Sequence, residues 1–221
     1  MRALDERGIP RTFKGSHAVV TVPLGVLKSG SITFSPGLPR WKTDAIRRIG
    51  MGTFEKVVMR FPEPYWATEH AHIFHLSTPE AMDFPLIIDL FFIEKLPILV
   101  AFNTGRHAIR LDDKTDREIT THILSILRRV QGGPIPRPTD VFITRWGHDP
   151  FTRGSYSYLK LGSTPRDQDA LAAPIGGRLL FAGEASNAER YGYADGAFST
   201  GIREAKRLLR AGTVQLRAQP M

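Results

Sequence analysis

The sequence predicts a mixed α+β chain. Three observations carry that reading: strand-length β-branched runs recur, two of them are close enough to form an antiparallel hairpin, and helical 3.6-residue periodicity appears elsewhere. No internal repeat or low-complexity tract is present, so a solenoid is not expected.

His17–Val22 is a β-branched run ended by Pro23 and reads as a buried strand. Ser29–Pro39, punctuated by Gly and Pro, is a loop. Trp41, Ala45, Ile46 and Ile49 recur at helical spacing, predicting a short amphipathic helix over Lys42–Ile49 stopped by Gly50. Glu55–Phe61 alternates as a strand, and Pro62 and Pro64 end it. A further short strand is expected at His72–Leu76, and Pro85–Phe92 and Ile98–Asn103 form the hairpin.

Asp112 or Asp113 is the expected cap of the clearest helix, with Ile119, Ile123, Ile126, Leu127 and Val130 inward and Gly132-Gly133-Pro134 as its stop. Val141–Trp146 and Arg178–Ala182 read as strands, and Gly196–Leu209 as a closing helix followed by a basic tail.

Composition narrows the chemistry. The 221 residues suffice for one large domain or two small ones, and 42% hydrophobic with 24% charged residues is globular composition. With no cysteine there is no disulfide, no thiolate nucleophile and no cofactor tethered through sulfur. The first ten residues lack an apolar core, so no secretory signal is read there. The most apolar stretch, Phe84–Phe102, carries Asp89, Glu94, Lys95 and Pro97, which excludes it as a membrane span. The expectation is a soluble, cytoplasmic protein with no membrane partner. The net charge of +8 is spread in short pairs (Arg47-Arg48, Arg128-Arg129, Lys206-Arg207) without a basic arm, so nucleic acid is not an expected partner.

The seven histidines give no metal site: His72 and His75, three apart on one strand, face opposite sides, with Asp83 the nearest carboxylate considered. The Asp112–Asp116 cluster lacks the glycine and terminal Glu of a calcium loop.

The chemistry concentrates near the C-terminus. There a strand runs into Gly183-Glu184, then a polar loop, then Gly192-Tyr193-Ala194-Asp195-Gly196 opening a helix. Glycines admit close backbone approach, and a helix N-terminus favours negative charge. The same spacing serves tight packing at the helix start equally well, and the residues alone leave both readings open.

The segment FAGEASNAERYGYADGAFSTGIREAKRLL closely resembles the C-terminal FAD-binding signature of the flavin-containing amine oxidases, a family that includes polyamine oxidases, monoamine oxidases and flavin-dependent histone demethylases. AVVTVPLGVLKSGSITFSPGLPRWKTDAIRRIGMGTFEKVVMRF resembles the family's middle segment, and TRWGHDPFTRGSYSY the segment before the last flavin motif. The resemblance implies an oxidoreductase that passes hydride from the carbon beside an amine nitrogen to flavin N5. An imine results, and oxygen is reduced to hydrogen peroxide.

It also implies site residues. Glu184, after Gly183, matches the acidic residue that contacts the ribityl chain or sugar of FAD. Tyr193 and Ala194 match the pair at the flavin pyrimidine edge, beside the helix start. Lys56, in Glu-Lys-Val-Val where the family usually has Asn-Lys-Val-Val, matches the lysine that reaches flavin N5 through a water. Trp146 and Tyr156 would approach the ring and substrate cavity, and Tyr156 with Tyr193 match the two tyrosines that face the substrate nitrogen. Ser155 stands where some relatives attach flavin through cysteine, so FAD here would be non-covalent.

The resemblance divides the chain into residues 1–27 (late FAD-domain strand), 28–145 (antiparallel substrate domain), 146–211 (C-terminal part of a Rossmann-like FAD domain) and 212–221 (basic tail). The family's GxGxxG unit, which cradles the pyrophosphate, does not occur in the sequence. Two expectations follow: a C-terminal half of an amine oxidase acting on a small amine, with a separate chain supplying the other half, or a truncated, inactive fragment or interaction module that cannot bind FAD alone. Glu63, Glu69, Glu80 and Asp83 are the carboxylates considered for a polyamine.

Overall fold

The computed structural model describes residues 1–66, 73–76, 83–210 and 212. In chain order the strands are β1 (Arg2–Leu4), β2 (Pro10–Thr12), β3 (Ala18–Val20), β4 (Gly50–Gly52), β5 (Phe54–Arg60), β6 (Ile73–His75), β7 (Leu86–Asp89), β8 (Ile98–Thr104), β9 (Asp140–Ile143), β10 (Tyr156–Tyr158) and β11 (Leu179–Phe181). The helices are α1 (Leu24–Ser29), α2 (Arg40–Arg48), α3 (Leu90–Glu94), α4 (Gly105–Asp112), α5 (Asp116–Gln131), α6 (Pro165–Ala172) and α7 (Ala194–Arg210). Contacts divide the chain into one unit of residues 51–156 and another of residues 1–50 with 157–221. The mixed α+β class and the antiparallel hairpin are as the sequence predicts.

Period-two alternation organises the 51–156 unit. Its sheet has the order β6-β7-β8-β5-β9, every pair antiparallel. Directly paired residues share a face. Val57, Ala101, Ile87, Phe74 and Ile143 therefore line one side, and Lys56, Phe102, Leu86 and His75 the other. The first side packs on Ile119, Ile123, Leu124, Ile126 and Leu127 of α5 and Leu111 of α4 to form the apolar core. Helix α5 starts at a capping box between Thr115 and Glu118 and stops at Gly132, whose φ of 72° suits glycine.

Several expectations shift in this unit. The predicted strand over 85–92 ends at Asp89, whose side chain accepts the Phe91 amide and starts α3. Thr115, not Asp112 or Asp113, caps α5, because the two aspartates already end α4. Val130 is 59% exposed, one turn beyond the edge of the core.

In the other unit β3 and β11 pair in parallel. Helix α2 begins at Arg40 and buries Ala45, Ile46 and the following Ile49 as predicted, but Lys42 turns inward in place of Trp41, which is 44% exposed. The Lys42 Nζ donates to the carbonyls of Leu171 (2.6 Å) and Ala173 (2.5 Å) at the end of α6 and lies 3.9 Å from the Phe181 ring centroid. Burial outweighs the field of Glu204 and pulls its pKa down to about 7. Glu204 is buried on α7, paired with Arg203 (2.6 Å) and Arg207 (2.9 Å). The chain passes between units within β4 and β10, where a Cβ on Gly50 would lie 2.6 Å from the Tyr158 ring.

Expectations on Glu69, His70, His72, Glu80 and the tail beyond Gly212 fall outside the described residues.

Candidate functional site

Lys56 lies on the sheet face opposite the core, half-exposed, and is paired across the strands with Phe102. Its Nζ is 5.7 Å from the Phe54 ring centroid and 5.8 Å from that of Phe102. Phe54 in turn lies 5.2 Å from Phe102 and 6.0 Å from Tyr156. Lys56 and Tyr156 thus flank one phenyl ring, which places an ammonium among quadrupole faces that attract it.

Ser155 fixes this cluster. Its Oγ accepts the Phe54 amide at 2.8 Å and donates to the Phe54 carbonyl at 3.0 Å, and its own amide donates to Gly52. The preceding Gly154 has a φ of 139°, and a Cβ there would lie 2.6 Å from Met51. Trp146, 37% exposed, holds the same loop through its carbonyl, which accepts from Gly154 N and Thr152 Oγ1.

Glu55, next to Lys56, points to the core side. It accepts from Thr144 Oγ1 (2.5 Å) and Gly147 N (3.3 Å). Burial raises its pKa against these hydrogen bonds, and Asp112 adds to the rise. A Cβ on Gly147 would sit 2.5 Å from the Asp112 carboxylate, so a side chain there would push the Asp112 carboxylate aside.

The second group of expected residues belongs to the other unit. Gly183 has φ 130° and ψ 160°, a conformation essentially confined to glycine. Glu184 follows, accepting from Ser157 N (3.0 Å), Ser157 Oγ (2.5 Å) and Gly192 N (2.5 Å). A carboxylate has about four acceptor positions, so roughly one remains for a ligand hydroxyl.

The Asn187 Oδ1 accepts Glu189 N and Arg190 N, and its Nδ2 donates to Gly196 O. This folds the 187–193 loop tightly against the start of α7. A Cβ on Gly196 would fall 1.8 Å from the Arg190 carbonyl, so only glycine fits. Tyr193 is 59% exposed beneath Arg190, whose guanidinium lies 4.6 Å from its centroid and pairs with Asp195 at 2.8 Å. Ala194 opens the helix two residues before the predicted start, and the first amides of α7 have no acceptor inside the helix.

These groups fit the edge of an oxygen-rich, partly anionic group such as a flavin: backbone donors at a helix N-terminus, close-approach glycines and one carboxylate with spare acceptor capacity. The expected residues thus fall into two local clusters, Lys56 with Tyr156 and Gly183 with Glu184, Tyr193 and Ala194.

Some features gave no signal in the sequence. Ser157 as the partner of Glu184 is one, because a serine before a tyrosine carries no pattern. Another is the pairing of Asp83, just before β7, with His107 Nδ1 (2.9 Å) and His122 Nε2 (3.0 Å), residues distant in sequence. Among the described residues no group of three or more His, Cys, Asp or Glu could hold a metal, and no helix is long and apolar enough to cross a membrane.

The profile of the flavin containing amine oxidoreductase family matches residues 6–209. The chain belongs to this family. Members are flavoprotein oxidoreductases, which accords with the donor set around Glu184. Among curated relatives, a lysine-specific histone demethylase 1 homolog from Oryza sativa subsp. japonica is 38% identical over 206 residues, 91% of this chain and 24% of its own length. FLOWERING LOCUS D from Arabidopsis thaliana is 39% identical over 201 residues, 88% of this chain and 26% of its length. A solved wild-type putrescine oxidase bound to putrescine superposes with a TM-score of 0.74 at 25% identity, covering 88% of this chain and 43% of the oxidase. The chain spans about a quarter of these curated relatives and under half of the solved oxidase.

Proposed function

We propose that the chain is the carboxyl-terminal half of an FAD-dependent amine oxidase, holding FAD non-covalently and acting on a small amine. The observation that carries this is Lys56: a cation between Phe54 and Phe102 on a sheet face that also carries Val58, Leu86 and Val100, with Tyr156 beside it. When bound, the flavin supplies the two-electron oxidation of the carbon–nitrogen bond.

The chain's own groups do the rest. Glu184, with Gly183 and the amides opening α7, would hold the cofactor's sugar and ring edge. Their fixed dipoles offset negative charge without reorganising. Lys56 Nζ would hold a water and exchange protons with it, its charge eased by the two phenyl faces. Tyr156 and Tyr193 would offer ring faces to the amine, and the apolar wall excludes bulk water from its reacting carbon. Trp146 serves this reading through its carbonyl, which pins the Gly154 turn that delivers Tyr156.

The reading is tested with Lys56→Met in the reconstituted flavin-loaded enzyme, following flavin reduction and reoxidation separately by stopped flow. At least one half-reaction should slow by about two orders of magnitude, the usual scale for a proton-handling group. Unchanged rates for both would remove Lys56 from the assigned role.

A further inference from the structure

A groove of about 890 Å³ opens in the 51–156 unit between α4, α5 and the segment before β7, on the core side of the sheet and away from Lys56. Asp83 bridges two rings there: its Oδ1 lies 2.9 Å from His107 Nδ1 and its Oδ2 3.0 Å from His122 Nε2. His107 is buried, only 9% exposed. Both oxygens of this carboxylate are thus taken by imidazoles. Glu118, the other acid lining the groove, is engaged as well, since its Oε2 accepts Thr115 N (2.8 Å) and Thr115 Oγ1 (2.7 Å).

Three cations line the same groove: Arg110 on α4, Lys114 in the turn that follows, and Arg117 in the first turn of α5. Arg110 Nη2 lies 2.6 Å from His107 Nδ1, the nitrogen that faces Asp83, and 3.8 Å from Asp83 Oδ1. A single imidazole nitrogen either donates or accepts. With its proton, Nδ1 satisfies Asp83 and offers Arg110 no lone pair; without it, a lone pair would face a carboxylate. The first state is the favourable one, so Arg110 rests against a group that cannot accept it. Arg117 has no side-chain hydrogen bond or ion pair among the described residues, and the field at a helix start disfavours a cation. The cations therefore repel one another with no internal gain, a conflict that an anion reaching all three would remove.

We infer that this groove is a binding site for a small phosphate-bearing compound, with Arg110, Lys114 and Arg117 holding the phosphate. Arg110 turns off His107 and grips two phosphate oxygens through its planar fork, while Lys114 and Arg117 approach from the α5 side. A phosphate has enough oxygens to serve all three cations at once, which a single carboxylate has not. The groove is within the size of small-molecule sites and larger than a phosphate alone requires, so it has room for the group that carries the phosphate. Thr121 and Ser125, also on its wall, donate their hydroxyl protons to Arg117 O (2.7 Å) and His122 O (2.7 Å). Their lone pairs remain to accept from hydroxyls of that group. The site lies apart from Lys56 and Glu184 and is independent of the flavin reading.

The test titrates the purified chain, without FAD, with inorganic pyrophosphate, ribose 5-phosphate and citrate by calorimetry, and follows the His107 ring nitrogens by NMR. One molecule of a phosphate compound should bind per chain, and the His107 Nδ1 resonance should shift as Arg110 leaves it. Arg110→Ala/Arg117→Ala should weaken binding by about tenfold or more, with circular dichroism unchanged. Arg40→Ala/Arg47→Ala, which removes the same charge from α2, should leave it as it was. Tighter binding of ribose 5-phosphate than of pyrophosphate assigns the site to a phosphate ester, and the reverse to free polyphosphate; either supports the inference. No binding of either phosphate compound overturns it. So does citrate binding as tightly as both, binding that both double substitutions weaken alike, or binding that leaves His107 unmoved.

Discussion

In the 51–156 unit, helix α5 turns Ile119, Ile123, Ile126 and Leu127 onto the sheet, none more than 6% exposed. In the other unit, α7 turns Gly196, Thr200 and Glu204 inward and leaves Phe198, Ile202 and Leu209 in solvent. Both helices carry a clear apolar stripe in sequence, so periodicity alone does not say whether a stripe finds a partner within its own unit. What differs is the surroundings. A five-stranded antiparallel sheet closes over α5, whereas a two-stranded parallel pair leaves α7 held by Thr200, Arg203 and Glu204. One unit buries its helix stripe with its own residues; the other leaves the α7 stripe in solvent.

The largest expected effect contrasts the two stripes directly. Ile123→Ala should cost about 2–5 kcal/mol in urea unfolding, as for other fully buried isoleucines, while Ile202→Ala should stay within about 0.5 kcal/mol. Equal losses would show the α7 stripe to be packed.

A second contrast uses pH. Lys42 has a folded pKa of about 7 against an unfolded value near 10.5, so the folded state releases its proton first. The stability of that unit should rise between pH 7 and 10.5, by a few kcal/mol at most, and this contribution should be gone below pH 7, where both states hold the proton. Lys42→Met should flatten this rise, which unfolding followed by Trp41 fluorescence would report. A slope unchanged by the substitution would contradict the assignment.

The smallest effect has the opposite sign in the other unit. Glu55 keeps its proton above the usual carboxylate pKa, so its contribution is present at low pH and lost as pH rises from about 4.5 through its folded pKa. Glu55→Gln should remove that downward slope, measured by thermal unfolding from pH 4 to 7. A slope that persists would point to another carboxylate.

Much of this was legible in the sequence for physical reasons. β5 was readable because its alternation matches a half-buried strand, and α7 because its glycine-rich start and stripe are long and regular. The burial of Lys42 in place of Trp41 on α2 was not, since nothing in a lone lysine announces that two carbonyls ending α6 and the Phe181 ring will surround it. The end of β7 was missed because Asp89 acts as a cap inside an apolar run. Of the candidate site, Lys56 and Glu184 came from family motifs. The Phe54–Phe102 frame around Lys56 and the Ser157 clasp on Glu184 exist only once strands and loops are folded.

The most direct test of the account is the absorbance spectrum of the chain co-purified with FAD and a polypeptide supplying the N-terminal half of an amine oxidase, then dialysed. It should show red-shifted flavin bands at near one flavin per complex, above those held by the N-terminal polypeptide alone, and Glu184→Ala should lose that excess. A colourless complex, or one equally coloured with Glu184→Ala, would contradict the assignment of this chain as the flavin-edge half of an amine oxidase.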